Sequence, residues 1–206
     1  MAERGRFITF EGGEGAGKST QARRLAAALR ARGLEVIETR EPGGSPGAEE
    51  IRRLLTTGEA GRWSPMAETL LHNAARADHL RRTVRPALAA GSWVVSDRFA
   101  DSTMAYQGYG QGADRLFIGE LVRLLGIKPD LTLVLDVPEP VATTRMRQRG
   151  GDADRYEKLD AAFHARVRDG FRQIAAAEPE RCVLVDASGE IEAVHAAIME
   201  AVDRLL

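Results

Sequence analysis

Short apolar runs alternate along the chain with longer stretches in which apolar residues recur every third or fourth position. Phe7-Ile8-Thr9-Phe10 is the first run and reads as a buried strand. Similar runs sit at Val36-Ile37, Trp93-Val94-Val95, Leu131 to Leu135 and Cys182 to Val185. After the first run, Ala22, Leu25, Ala26 and Leu29 follow the i, i+3, i+4, i+7 spacing of an amphipathic helix, and Gly33 is placed to end it. Helical patterns also cover about Met66 to Leu88, with Pro86 as a kink, then Asp114 to Leu125, Pro138 to Gln148, Ala161 to Ala177 and Ile191 to Leu205. Strands separated by helices predict an α/β fold, a parallel sheet covered on both faces. No repeat or linker divides the chain, so residues 1–206 read as one domain. Two segments resist regular structure: 40–47, a loop by composition, and 149–155, a polar break between helices. Loops at the carboxyl ends of parallel strands are where such sheets bind ligands.

Composition narrows the picture. With 44% hydrophobic residues in 206, the chain can bury a full core. A formal net charge of -1 gives no overall field toward a nucleic acid polymer or a membrane. No apolar stretch approaches the ~20 residues that span a bilayer. The start, Met1 to Arg6, is polar and shows no signal peptide, so a cytoplasmic protein is expected. The single cysteine, Cys182, lies in an apolar run and reads as a core thiol. There are 26 arginines but three lysines: Lys18, Lys128 and Lys158. A retained lysine in such a chain points to a place where arginine will not serve.

Lys18 is in such a place. Gly12-Gly13-Glu14-Gly15-Ala16-Gly17-Lys18-Ser19 matches G-x-x-x-x-G-K-[ST], between a strand and a helix. Glycines let the backbone curl so that successive N–H groups face phosphate oxygens, and the helix adds its positive end. Lys18 supplies a compact charge to the β- and γ-phosphates, and Ser19 offers a hydroxyl to Mg²⁺. The guanine-reading Asn/Thr-Lys-x-Asp of GTPases is not matched. Ile127 and Glu157 precede the two Lys-x-Asp triplets, and the D-x-x-G of Asp186 to Gly189 follows the last strand.

Three segments are more specific. They are Phe10-Glu11-Gly12-Gly13-Glu14-Gly15-Ala16-Gly17-Lys18-Ser19-Thr20, then Thr39-Arg40-Glu41-Pro42-Gly43-Gly44-Ser45, then Asp97-Arg98-Phe99-Ala100-Asp101-Ser102-Thr103-Met104-Ala105-Tyr106-Gln107-Gly108. Together they resemble thymidylate kinases, and the likeness runs in order from Phe7 to the C-terminus. The resemblance implies a three-layer P-loop NTPase kinase fold with a five-stranded parallel sheet, and a homodimer. It implies transfer of the γ-phosphoryl group of Mg-ATP to thymidine 5′-monophosphate (dTMP), a step in dTTP biosynthesis. Another nucleoside monophosphate kinase of the same fold is the alternative.

The resemblance also assigns residues. ATP would lie on 12–20. Arg98, with Arg40, would hold the acceptor phosphate, and Glu14 would reach the sugar 3′-hydroxyl. Arg76 would hydrogen-bond the pyrimidine, with Thr103, Tyr106 and Gln107 lining thymine and sugar. Ser19 and Asp97 would hold Mg²⁺, with Asp136 as an alternative to Asp97. In one departure, His72 stands where family members place a phenylalanine that stacks on thymine. In another, Gly15 stands where some members carry a cradle arginine. Arg145, Arg147, Arg149 and Arg155 cluster around the polar break, which resembles the bacterial type with a mobile lid over about 146–156. Arg149 and Arg155 are then the expected γ-phosphate contacts.

Overall fold

The computed structural model describes residues 4–59, 61–150 and 155–206, with Arg149 described by its backbone alone. The five apolar runs are all strands: β1 (Phe7–Glu11), β2 (Val36–Arg40), β3 (Trp93–Asp97), β4 (Leu131–Asp136) and β5 (Cys182–Asp186). They form one parallel sheet in the order β2-β3-β1-β4-β5.

Alternation along the strands builds a core on each face. Ile8 and Phe10 of β1, with Leu131, Leu133 and Leu135 of β4, pack on Leu25 and Leu29 of α1 (Lys18–Ala31). Val194, Ile198 and Val202 of α9 (Ile191–Asp203) complete that layer. The intervening positions serve the other face. Val134 meets Phe163, Val167 and Phe171 of α8 (Ala161–Ala177), while Phe7 and Val94 meet Leu80, Val84, Leu88 and Phe99. The remaining helices are α2 (Pro46–Thr56), α3 (Pro65–His79), α4 (Arg85–Ala89), α5 (Ala100–Thr103), α6 (Arg115–Leu125) and α7 (Glu139–Arg149).

Two local readings change. The long helix expected from Met66 to Leu88 is divided: α3 ends at His79, a wider π-helical turn covers Leu80–Val84, and α4 follows. Pro86 has no N–H to give, and its ring presses on the carbonyl four residues back. The chain opens by one residue ahead of it, with the Arg85 N–H reaching the Leu80 carbonyl. The loop expected over 40–47 is shorter. β2 continues through Arg40, and α2 begins at Pro46, the first helical position, where proline's missing N–H is harmless. Among the described residues, no helix is long and apolar enough to cross a membrane.

Candidate active site

Register brings three chain turns together. Phe10 and Arg40 both pair with Asp97, so the ends of β1, β2 and β3 lie level. A cleft of about 1190 Å³ runs along this edge. Residues after β4 and β5 line one part of it (Arg145, Gly189, Ile191), residues 14–20 the middle, and His72, Arg76 and Gln107 the far part.

The middle is the glycine cradle. Gly12 has φ 133° and Gly15 φ 70°, both left-handed, and each is pressed by a neighbour. A Cβ on Gly12 would sit 2.4 Å from the Leu135 carbonyl oxygen, and one on Gly15 would sit 2.5 Å from that of Ala142 on α7. This chain therefore has no room for a cradle arginine at Gly15. Buried Lys18 arches back so that Nζ donates to the Gly13 carbonyl at 2.7 Å. Burial and the nearby Arg98 charge lower the Lys18 ammonium to about 8. Ser19 Oγ donates to the Asp97 carboxylate. These are hard oxygen donors on adjoining elements, the chemistry that suits Mg²⁺, whose other ligands are water and phosphate. Asp136 is committed elsewhere: Arg168 grips it at 2.6 and 2.9 Å and Arg172 at 2.7 Å.

Arg98 faces the cradle. It is the non-glycine residue with left-handed backbone among those described, at φ 71°, a twist that costs about 1–2 kcal/mol. That twist turns the guanidinium back over β1. Nη1 donates to the Gly12 carbonyl (3.1 Å) and to Ser102 Oγ (3.0 Å). Nη2 donates to Glu14 Oε1 (2.6 Å) and Tyr106 Oη (3.0 Å), and Tyr106 donates to the same Glu14 oxygen (2.7 Å). Burial opposes the charge on Glu14, but Arg98, Lys18 and the Tyr106 hydroxyl outweigh it and hold the carboxyl down at about 2.

At the far end Arg76 is 2% exposed. It donates to Glu41 (2.8 Å), Asn73 (3.1 Å), the Phe99 carbonyl (3.1 Å) and Thr103 (2.9 Å), using four of its five N–H groups. Glu41 is steadied by His79, whose other ring nitrogen meets Thr39. Beside Arg76, the Gln107 amide is buried with neither polar atom bonded to the protein, an arrangement that calls for a ligand. His72 Nε2 meets the Tyr156 hydroxyl at 2.9 Å. Desolvation, with Arg76, Arg155 and Arg98 around it, drops His72 to about 3, so its ring is neutral.

Thus 14–20, Arg40, His72, Arg76, Asp97, Arg98, Thr103, Tyr106 and Gln107 all line one cleft. Gly12 and Gly13 form the base of the cradle. Arg40 is half exposed and paired with Glu49 at 3.0 Å. Arg155 is elsewhere: it is 3% exposed and ion-paired with fully buried Glu68, and its Nε donates to the Leu55 carbonyl at 3.0 Å. A buried carboxylate demands a cation, and Glu68 has taken this one. The Arg149 side chain and residues 151–154 of the expected lid lie outside the described residues. The motifs did not single out Glu11, Glu41, Glu68, His79 or Ser102 as functional. The available signal was an acid closing an otherwise apolar strand, as Glu11 does.

A lysine-bearing phosphate cradle and a second, arginine-held anion position a few ångströms away, on this sheet order, define a P-loop nucleotide kinase. The family model for thymidylate kinase matches residues 10–198, and the chain belongs to the thymidylate kinase family. Among its relatives, a thymidylate kinase of Rhizorhabdus wittichii is 58% identical, covering 98% of this chain and 99% of its own. One of Caulobacter vibrioides is 57% identical over 96% of each chain. A crystal structure of thymidylate kinase from Ehrlichia chaffeensis superposes with TM-score 0.77 at 36% identity, covering 97% of this chain and 99% of that one.

Proposed function

We propose that this single-domain enzyme phosphorylates dTMP to dTDP with Mg-ATP, a step toward dTTP. The observation that carries it is the bond from Arg98 to the Gly12 carbonyl, which ties the acceptor grip to the donor cradle at 3.1 Å. A phosphate displacing Glu14 from the Arg98 fork meets a triphosphate tail on 12–20. One acceptor oxygen then bonds to the γ-phosphorus as its bond to the bridging oxygen breaks, releasing ADP. Positioning and charge do most of the work in such transfers. Ser19 and Asp97 would hold Mg²⁺, which supplies charge neutralisation on the transferred group when bound.

Glu14, freed by the incoming phosphate, turns to the sugar 3′-hydroxyl, and Tyr106 packs beside the sugar, where a 2′-hydroxyl is crowded. The spare N–H of Arg76 and the unpartnered Gln107 amide read the pyrimidine, with Thr103 and His72 beside it. Arg40 adds charge at the acceptor phosphate. Arg149 is assigned to the γ-phosphate, and Arg155 joins it only by leaving Glu68. We assign a homodimer, because Met66 and Leu70 of α3 and Leu116 and Leu124 of α6, helices that pack on each other, stand exposed. The cytoplasm, where nucleotides are made, is the assigned compartment. A coupled ADP-release assay on dTMP, dUMP, dCMP and AMP tests the reaction. Preference for dTMP is expected; preference for AMP or dCMP overturns the reading.

A further inference from the structure

Glu11, the last residue of β1, is fully buried one residue before the cradle and has no part in the roles above. Its carboxylate meets donors only. Oε1 accepts the Phe99 N–H at 2.8 Å and the Ser102 N–H at 3.3 Å; Oε2 accepts the Ser102 hydroxyl at 2.5 Å. With its proton committed to Glu11, Ser102 Oγ turns its lone pairs to the Arg98 guanidinium. The chain of contacts is therefore Glu11, Ser102 hydroxyl, Arg98.

This chain acts on a strained residue. Left-handed Arg98 needs restraint on both sides of its φ and ψ. Its own N–H bonds the Phe10 carbonyl at 2.9 Å, and its carbonyl accepts Ser96 Oγ at 2.8 Å. The next amide, Phe99, is fixed by Glu11. Ser102, fixed twice, lies in the same run as Thr103, Tyr106 and Gln107. Burial and nearby Asp101 push the Glu11 carboxyl up, opposed by Ser102, Arg98 and Phe99. Asp101 is itself neutralised by Arg181, at 2.7 and 2.9 Å.

We propose that Glu11 is a positioning residue of the acceptor site: leaving β1 where the cradle begins, it pins the Phe99–Ser102 turn and so aims Arg98 at the acceptor phosphate. Glutamine keeps the shape of Glu11, but its NH₂ takes the place of the oxygen that accepts the Ser102 hydroxyl, so that hydroxyl must turn and its bridge from Glu11 to Arg98 is rearranged. The inference rests on the assignment of Arg98 to the acceptor phosphate.

The test compares Glu11→Gln and Ser102→Ala, with ATP and dTMP varied separately and the thermal midpoint recorded. For Glu11→Gln, kcat should fall by about 10²-fold, the loss that small misplacements cause. The KM for dTMP should rise and that for ATP stay within about twofold, because the bonds Glu11 accepts come from the Phe99–Ser102 turn on the acceptor side. Ser102→Ala, which cuts only the hydroxyl bridge, should show the same split more weakly, and the double variant should lose less than the product of the single losses. A folded Glu11→Gln enzyme with unchanged kcat overturns the proposal, as does equal weakening of both nucleotides, which would mark a general support of the cradle. Should Glu11→Gln not fold, Ser102→Ala decides, and unchanged kcat and dTMP KM overturn the proposal. Absence of dTMP phosphorylation by the wild-type enzyme would instead defeat the function proposed above.

Discussion

Arg149 and Arg155 carry the same charge but are assigned different tasks, and their alanine variants should separate two effects. Arg155→Ala strands Glu68 without its cation, and loss of one partner of a buried pair costs about 3–5 kcal/mol. Urea unfolding should show that loss. Arg149→Ala should leave the urea midpoint in place and lower kcat by about 10³-fold, as arginine fingers do. Glu14 gives a pH signature. The fold lowers its carboxyl from the ordinary 4.5 to about 2, so ionisation favours the folded state. That contribution is whole above the ordinary value, shrinks as acid carries the group down toward the lower one, and is absent below it. Glu14→Gln should therefore be less stable than wild type at neutral pH and converge with it as pH falls through that window, measured by thermal melts. His72→Phe restores a stacking ring at the cost of one hydrogen bond to Tyr156. Aromatic contacts are worth about 0.5–1.5 kcal/mol, so KM for dTMP should fall severalfold in steady-state kinetics.

Between elements, the π-helical Met104–Gly110 segment presses closely on α8. A Cβ on helical Gly170 would lie 2.7 Å from the Tyr109 ring. Glycine to alanine within a helix is ordinarily favourable by about 1 kcal/mol, but overpacking costs about 1–3 kcal/mol. Gly170→Ala should thus destabilise the protein by chemical denaturation. All five strands were legible: β1, β3 and β4 are buried along nearly their whole length and read as apolar runs, while the more exposed edge strands β2 and β5 still carried a short apolar stretch. α2 was not, since it opens on Pro46-Gly47 and reads as a continuation of the loop before it. The π-helical turn was only half legible: Pro86 announced a defect, but its position depends on where the chain opens to absorb it. The order of the strands depends on packing between distant segments, which no local pattern records.

For the molecule as a whole, the proposed dimer should appear as twice the monomer mass by sedimentation, and Leu116→Asp with Leu124→Asp should shift it to monomer. The site was legible as a roster of residues because each motif lies at a strand end. Its pairings were hidden. Burial of Arg155 follows from Glu68, 87 residues distant, and aiming of Arg98 follows from a left-handed turn. The pair of Arg98 and Glu14 has a wider consequence. The guanidinium holds an anion tethered to the same domain, at an effective concentration on the order of millimolar or above. A stray chloride, acetate or RNA phosphate must outcompete that built-in rival with a single charge and no anchoring base. On the assignment of Arg98 to the acceptor phosphate proposed above, a dianion that brings its own nucleobase is the better-equipped competitor for that fork.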